Sequence, residues 1–253
     1  MNNPLLLKLE QFASFDDRER ERLDQLISER RQTYAPKQDI LVEGQNVDTI
    51  HIVISGLASR YKLLDEGERQ IMAFLVPGDI CDLEVFVLAE MDHSVAAVSE
   101  TVCAVVPADT IKHLLTEMSG LTEALWWSTM TDSAVLRERI IDHGRRDARE
   151  RIAHLFYEML IRYRITGDAE DNTIPFPLTQ EELADATGLT PVHVARTLKL
   201  LREEQLIELR SRRLKFLDTK RLKQVARFNP NYLHLRKAEE GMGDAAAQVQ
   251  DLI

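Results

Sequence analysis

The chain has 253 residues, 44% hydrophobic and 29% charged, enough for two domains that each carry a core. Its net charge of −10 excludes a general nucleic-acid coat, yet residues 196–237 carry +9 while 1–195 carry −15 and 238–253 carry −4. Two cysteines fit a reducing cytoplasm, and neither a signal peptide in MNNPLLLKLEQF nor a membrane-spanning run is expected.

In chain order, a short helix is expected over 16–31. Gly44, Gly56, Gly67 and Gly78 then recur every 11 or 12 residues, with alternations such as Ile50, Ile52 and Ile54 between them. That spacing predicts an all-β sandwich or barrel. Asp65-Glu66-Gly67-Glu68 reads as a hairpin loop between strands 59–64 and 70–76, and segments 95–99 and 101–106 add two strands. Pro107-Ala108-Asp109 stops the sheet and caps a helix.

A long helical pattern follows over 121–141. Leu121, Leu125, Ala134, Ile140 and Ile141 form an apolar seam, with Trp126, Trp127 and Met130 near its start. This is more apolar than a solvent-bridging helix, so the seam is assigned to pairing with a second copy. Packing on the chain's own β domain is a second, compatible reading. His143-Gly144-Arg145-Arg146 breaks the pattern and is read as a hinge, and residues 147–162 open the last domain. The divisions are 1–117, 118–146, 147–228 and a tail, 229–253.

The most informative stretch begins at Leu178. Thr179 and Glu182 have capping-box spacing, Leu183 and Ala186 face inward, and Gly188 suits a left-handed turn residue. Thr190 is a second N-cap with Pro191 at the first helical position. Val194, Leu198 and Leu201 form an inward face. The opposite face carries Val192, His193, Arg196 and Lys199, and a short basic hairpin with Arg210, Arg212, Arg213 and Lys215 follows. This order reads as a winged helix-turn-helix for double-stranded DNA. Arg196 suits a bidentate guanine contact, His193 a base or phosphate, and Val192 a thymine methyl. Thr179 and Thr190 suit phosphates at helix N-termini, and the hairpin cations suit the backbone.

The β pattern, Pro77-Gly78-Asp79, the long helix, DARERIAHLF and TQEELADATGLTPVHVARTLKLL together resemble the Crp/Fnr superfamily of bacterial transcription regulators, from about residue 15 to 228. The resemblance implies an α+β chain: an N-terminal cyclic-nucleotide-binding-type β-roll (jelly roll), a long central dimerisation helix and a C-terminal winged helix-turn-helix. It also implies a homodimer on a near-palindromic promoter site. Cyclic-AMP-binding members carry Gly-Glu and Arg-Ser or Arg-Thr where this chain has Asp82-Leu83 and His93-Ser94. An aspartate repels a phosphate and the arginine fork is gone, so cyclic AMP is not expected to bind in the usual way. Glu84 would substitute only after a register slip. Trp126 and Trp127 are candidates for the pocket floor, although core or dimer packing is the stronger reading. The two cysteines exclude the usual four-thiolate iron–sulfur centre within one chain. The seven histidines show no metal-ligand spacing, so no cofactor or metal is expected. Cys81 and Cys103 read as buried, inert thiols, with a redox switch as the alternative.

In the recognition helix, two of the three positions that read bases in cyclic-AMP-type members are replaced, Pro191-Val192 standing for Arg-Glu; Arg196 remains. The leading expectation is a cytoplasmic, non-enzymatic DNA-binding regulator, with RNA polymerase as a further partner if it activates. A cyclic-nucleotide-responsive regulator with altered contacts is the alternative. An enzyme's regulatory subunit is more distant, because no nucleophile–base pair, metal cluster or phosphate loop is visible.

Overall fold

A computed structural model of the protein describes residues 3–83, 88 and 90–235, so Glu84 and the chain beyond Leu235 lie outside the described residues. The chain forms two compact units, Met1–Ser133 and Ala134–Ile253, divided inside the long helix.

The N-terminal unit opens with two helices that Asn3 and Asp16 cap, α1 (Pro4–Leu9) and α2 (Asp17–Glu29). Asp16 and Glu19 form a capping box, which supports α2 where the sequence reading placed a helix. Seven strands follow: β1 (Arg31–Tyr34), β2 (Asp39–Leu41), β3 (Thr49–Ser55), β4 (Ala58–Leu63), β5 (Arg69–Leu75), β6 (Ser94–Ala97) and β7 (Thr101–Pro107). They pair antiparallel in two sheets, β1-β7-β3 and β2-β6-β4-β5. Tyr34, Leu41, Val53, Leu75, Val95 and Cys103 from both sheets share one core. The other face of the three-stranded sheet presents Ile50, Ile52, Ala104 and Val106 to Leu5, Leu9, Leu23 and Leu26 of the first two helices. Gly56 requires its residue type twice over. Its φ is +92°, and an added Cβ would lie 2.3 Å from the Glu100 carbonyl oxygen.

Helix α3 (Ala108–Glu117) follows the sheet, but Asp109 does not cap it. Pro107 is the N-cap residue and supplies no side-chain bond; Asp109 lies in the first turn and pairs with Lys112. Helix α4 runs Ser119–Arg145, and here the expected seam divides. Leu121 and Leu125, with Ala124, are built into the unit's own core, and Ala134 is buried as well. Those three seam residues are therefore not available to a second chain. Ile140, at 72% exposed, and Ile141 do face outward. The exposed row is rotated from the expected one: Trp126, Met130, Arg137, Ile140 and Gly144, with half-buried Ser133, at steps of four and three. The expected seam joined residues of two faces, and Leu121, Leu125 and Ala134 belong to the buried one.

The expected hinge is also shorter. His143, Gly144 and Arg145 remain helical, and only Arg146 and Asp147 separate α4 from α5 (Ala148–Ile165). Arg146 folds back to donate to Asp142 and Glu138 at 2.8 and 2.9 Å, which ties off the helix end. Asp147 starts α5 with a capping box to Glu150. The C-terminal unit continues with β8 (Thr173–Pro175), α6 (Gln180–Thr187), α7 (Pro191–Glu203), β9 (Ile207–Arg210), β10 (Arg213–Phe216), α8 (Thr219–Val225) and a 3-10 turn (Pro230–Leu233). Its sheet has the order β8-β10-β9; β8 carries little alternation and escapes a reading by periodicity.

Candidate nucleic-acid interface

Both helix starts fall where the sequence puts them. At α6 the Thr179 hydroxyl accepts from the Glu182 amide at 3.1 Å, while the Glu182 carboxylate takes the Thr179 amide and hydroxyl at 2.7 and 2.8 Å. That hydroxyl is thus committed within the chain, and Glu181 and Glu182 in the first turn disfavour an anion there. A phosphate contact from the Thr179 hydroxyl would compete with these bonds.

Helix α7 differs. Thr190 accepts from the His193 amide at 3.3 Å, Pro191 occupies the first turn, and no acid lies in that turn. Between the helices Gly188 is left-handed, with φ 63° and ψ 30°. Its missing Cβ also makes room for His143, because a Cβ there would sit 2.8 Å from that ring's Nδ1. Arg151 of α5 braces the same turn, donating to the Thr187 carbonyl at 2.5 Å and to the Arg146 carbonyl at 3.0 Å.

Val194, Leu198 and Leu201 are buried, so α7 lies with one fixed face inward. The other face presents Val192 at 66% exposure together with exposed His193, Arg196 and Lys199. Lys199 makes a loose pair with Glu203 at 3.6 Å, both exposed, a contact too weak to hold it from a phosphate. The wing is a tight hairpin: Arg210 faces Arg213, and Ser211 and Arg212 both take positive φ, 50° and 57°. Leu214 and Phe216 point inward, while Arg210, Arg212, Arg213 and Lys215 are exposed. The Phe176 amide bonds to the Arg212 carbonyl at 2.8 Å and fastens the hairpin tip. Helix, turn, helix and wing thus present cations, with Val192 among them, on a face held by buried apolar residues.

The expected polar effector residues among the described ones each have partners within the chain. Asp82 is fully buried and turned to His51, accepting from its amide and meeting Nδ1, each at 2.8 Å. Burial pushes the Asp82 carboxyl up, and the His51 hydrogen bonds oppose that shift. Ser94 accepts from the Glu43 amide at 3.0 Å, His93 meets Asp92 at 2.6 Å, and Leu83 is half-buried against the helical core. Trp126 is 65% exposed, and Trp127 stacks on Phe12 with centroids 6.1 Å apart. Both are exposed on α4. Cys81 and Cys103 are completely buried, and the neighbouring Cys103 thiol together with burial pushes Cys81 well up, as for an inert thiol. Among the described residues no group of three or more His, Cys, Asp or Glu could hold a metal ion.

The sequence reading missed two buried polar clusters. In the β-roll, Arg60 reaches Asp132 of α4. In the C-terminal unit, Arg139 bonds Asp142 and Glu158 at 2.9 and 2.8 Å, and Tyr232 closes on Glu158 at 2.8 Å. His154 lies fully buried beside them, tilted against Phe228 and stacked on Tyr232, with those two rings also in contact. Burial pulls its pKa down to about 3, the Asp142 charge opposing and Arg146 and Arg139 adding to the shift.

The fold and interface define a winged helix–turn–helix DNA-binding domain that follows a β-roll of the cyclic-nucleotide-binding type. Residues 150–225 match the family model of the Crp-like helix-turn-helix domain, and 31–118 that of the cyclic nucleotide-binding domain. The chain is 29% identical over 197 residues to the nitrogen fixation regulation protein FixK of Azorhizobium caulinodans, covering 76% of this chain and 77% of that one. It is 29% identical over 215 residues to the transcriptional activatory protein AadR of Rhodopseudomonas palustris, covering 83% and 85%. The fold is that of FixK2 from Bradyrhizobium japonicum, with a TM-score of 0.70 at 24% identity over 78% of this chain and 96% of that one. The chain belongs to the Crp/Fnr superfamily and is a DNA-binding transcription regulator of that type.

Proposed function

We propose that the protein acts as a homodimer on a near-palindromic promoter site, reads bases with Val192, His193 and Arg196, and requires no cyclic AMP. The observation that carries the reading is the outward face of α7, which stands on a buried Val194–Leu198–Leu201 face beside a wing of four exposed cations. Thr190 and Pro191 hold the start of that helix, and Lys199, Arg210, Arg212, Arg213 and Lys215 serve phosphates.

The dimer seam in this reading is the exposed row Trp126, Met130, Ser133, Arg137, Ile140 and Gly144, a heptad-like spacing that a second copy of α4 covers. Asp82 and Ser94 support independence from cyclic AMP, because both already bond within the chain. The protein works without catalysis in the cytoplasm, and where it activates it also meets RNA polymerase. Among the described residues no helix is long and apolar enough to cross a membrane.

Selection of genomic fragments by purified protein, with no small molecule added, tests this. A shared inverted repeat is the expected outcome. A folded dimer that enriches no sequence until a ligand is supplied would overturn the effector-free part.

A further inference from the structure

Arg60 on β4 has no task in the DNA-binding reading, yet it is 8% exposed. A buried guanidinium is strongly unfavourable unless an anion and further acceptors receive it. Here Nη1 donates to Asp132 Oδ2 at 3.0 Å, Nη2 to the Ile80 carbonyl at 2.8 Å and Nε to the Cys81 carbonyl at 3.4 Å. The two carbonyls belong to the segment that bridges to Ile52 of β3. One side chain therefore ties β4, the 80–81 segment and α4 together.

The position of Asp132 gives the contact its meaning. Leu121, Leu125, Ser128 and Asp132 follow one another on α4 at steps of four, three and four, and the first three are buried. Asp132 is the polar end of the inward face, one residue before the N-terminal unit closes at Ser133. The exposed Trp126–Met130–Ile140 row lies on the other side of the helix. Whatever fixes Asp132 thus fixes the rotation of α4 about its axis at that turn.

We propose that Arg60 is a carboxylate receptor occupied by the chain's own Asp132, and that this internal anion holds α4 in the rotation that presents its exposed row to a second copy. Since the carboxylate is part of the chain, pairing costs none of the translational freedom that a soluble anion would lose. The inference rests on the dimer reading above and deepens it by naming what stands in for an effector.

Asp132→Ala removes the anion and leaves the receptor; Arg60→Met removes the receptor. Sedimentation equilibrium and titration of a selected operator duplex are run in sodium chloride and in sodium formate at equal ionic strength. In chloride both variants are expected to dimerise and bind DNA about tenfold more weakly than wild type. Formate restores Asp132→Ala and leaves Arg60→Met unchanged. The inference falls if Asp132→Ala equals wild type in both assays, or if formate improves the two variants alike. Circular dichroism melting checks that each variant folds. If Asp132→Ala does not, Asp132→Asn keeps the shape without the charge, and wild-type dimerisation by it overturns the inference. Wild-type protein that dimerises but binds no operator without a ligand overturns the effector-free reading instead, while the dimerisation arm still decides this one.

Discussion

Arg196 and Arg60 hold the same guanidinium in opposite settings. Arg196 stands exposed on α7, whose N-terminal turn carries no acid. Arg60 is sunk in the β-roll among two carbonyls and a carboxylate. The contrast extends to the regions around them. From α6 to the wing, the Thr179 and Thr190 hydroxyls serve as caps, while the cations of the outer α7 face and the wing point out. In the β-roll polar groups are spent on one another: Asp82 on His51, Ser94 on the Glu43 amide, Lys8 on Asp79 at 2.9 Å. The α7 face and wing leave their charges outward, whereas these β-roll groups are engaged within the chain.

The sharpest way to break this comparison is through α4, which has a face of each kind. Leu125→Ala removes a side chain from the N-terminal core and is expected to lower stability by ~2–5 kcal/mol, read as a fall in denaturation midpoint. Ile140→Glu should leave the melting of the monomer nearly unchanged and abolish sedimentation as a dimer. If the two variants exchanged these effects, the assignment of faces would be reversed.

A smaller effect concerns the buried cluster of the C-terminal unit. His154 has its pKa drawn down to about 3 from 6.5. The unfolded chain therefore binds a proton that the folded chain does not once pH falls below ~6.5, and stability drops as pH falls by ~1.4 kcal/mol per unit at most. Around the ring stand Glu138, Arg139 and Asp142 of α4, Arg146 just beyond its end, and Tyr232 of the C-terminal turn. His154→Leu should flatten the stability profile between about pH 6 and 4, measured by urea unfolding. An unchanged slope would assign the acid sensitivity to the carboxylates.

The fold was legible where its causes are local. Thr179, Glu182, Gly188, Thr190 and Pro191 announce α6 and α7 because caps and left-handed turns are written within a few residues. The β-roll was legible from Gly44, Gly56, Gly67 and Gly78, all of which take positive φ. What depends on distant partners was not. Arg60 and Asp132 are 72 residues apart, and nothing beside either names the other. The inward face of α4 could not be told from its outward face, since Leu125 and Trp126 are equally apolar in a list. Asp82 takes its pocket position from the correspondence with cyclic-AMP-binding members, and nothing in the sequence pairs it with His51, 31 residues away.

Arg196→Ala should weaken specific binding by ~1–3 kcal/mol and relax the preference at one base pair, as loss of a bidentate base contact does. Arg212, at the tip of the wing, sharpens the test because its expected effect is smaller and of another kind. Its left-handed backbone is held by the Phe176 amide bond to its carbonyl, which its side chain does not touch. Arg212→Ala should therefore keep the hairpin and remove a single phosphate contact. Affinity then falls uniformly across sequences, and the slope of log K against log salt decreases by about one. Titrations of the selected operator and of a scrambled duplex at several salt concentrations separate the two arginines. Loss confined to the operator would make Arg212 a base reader, and an unchanged salt slope would place it away from the DNA altogether.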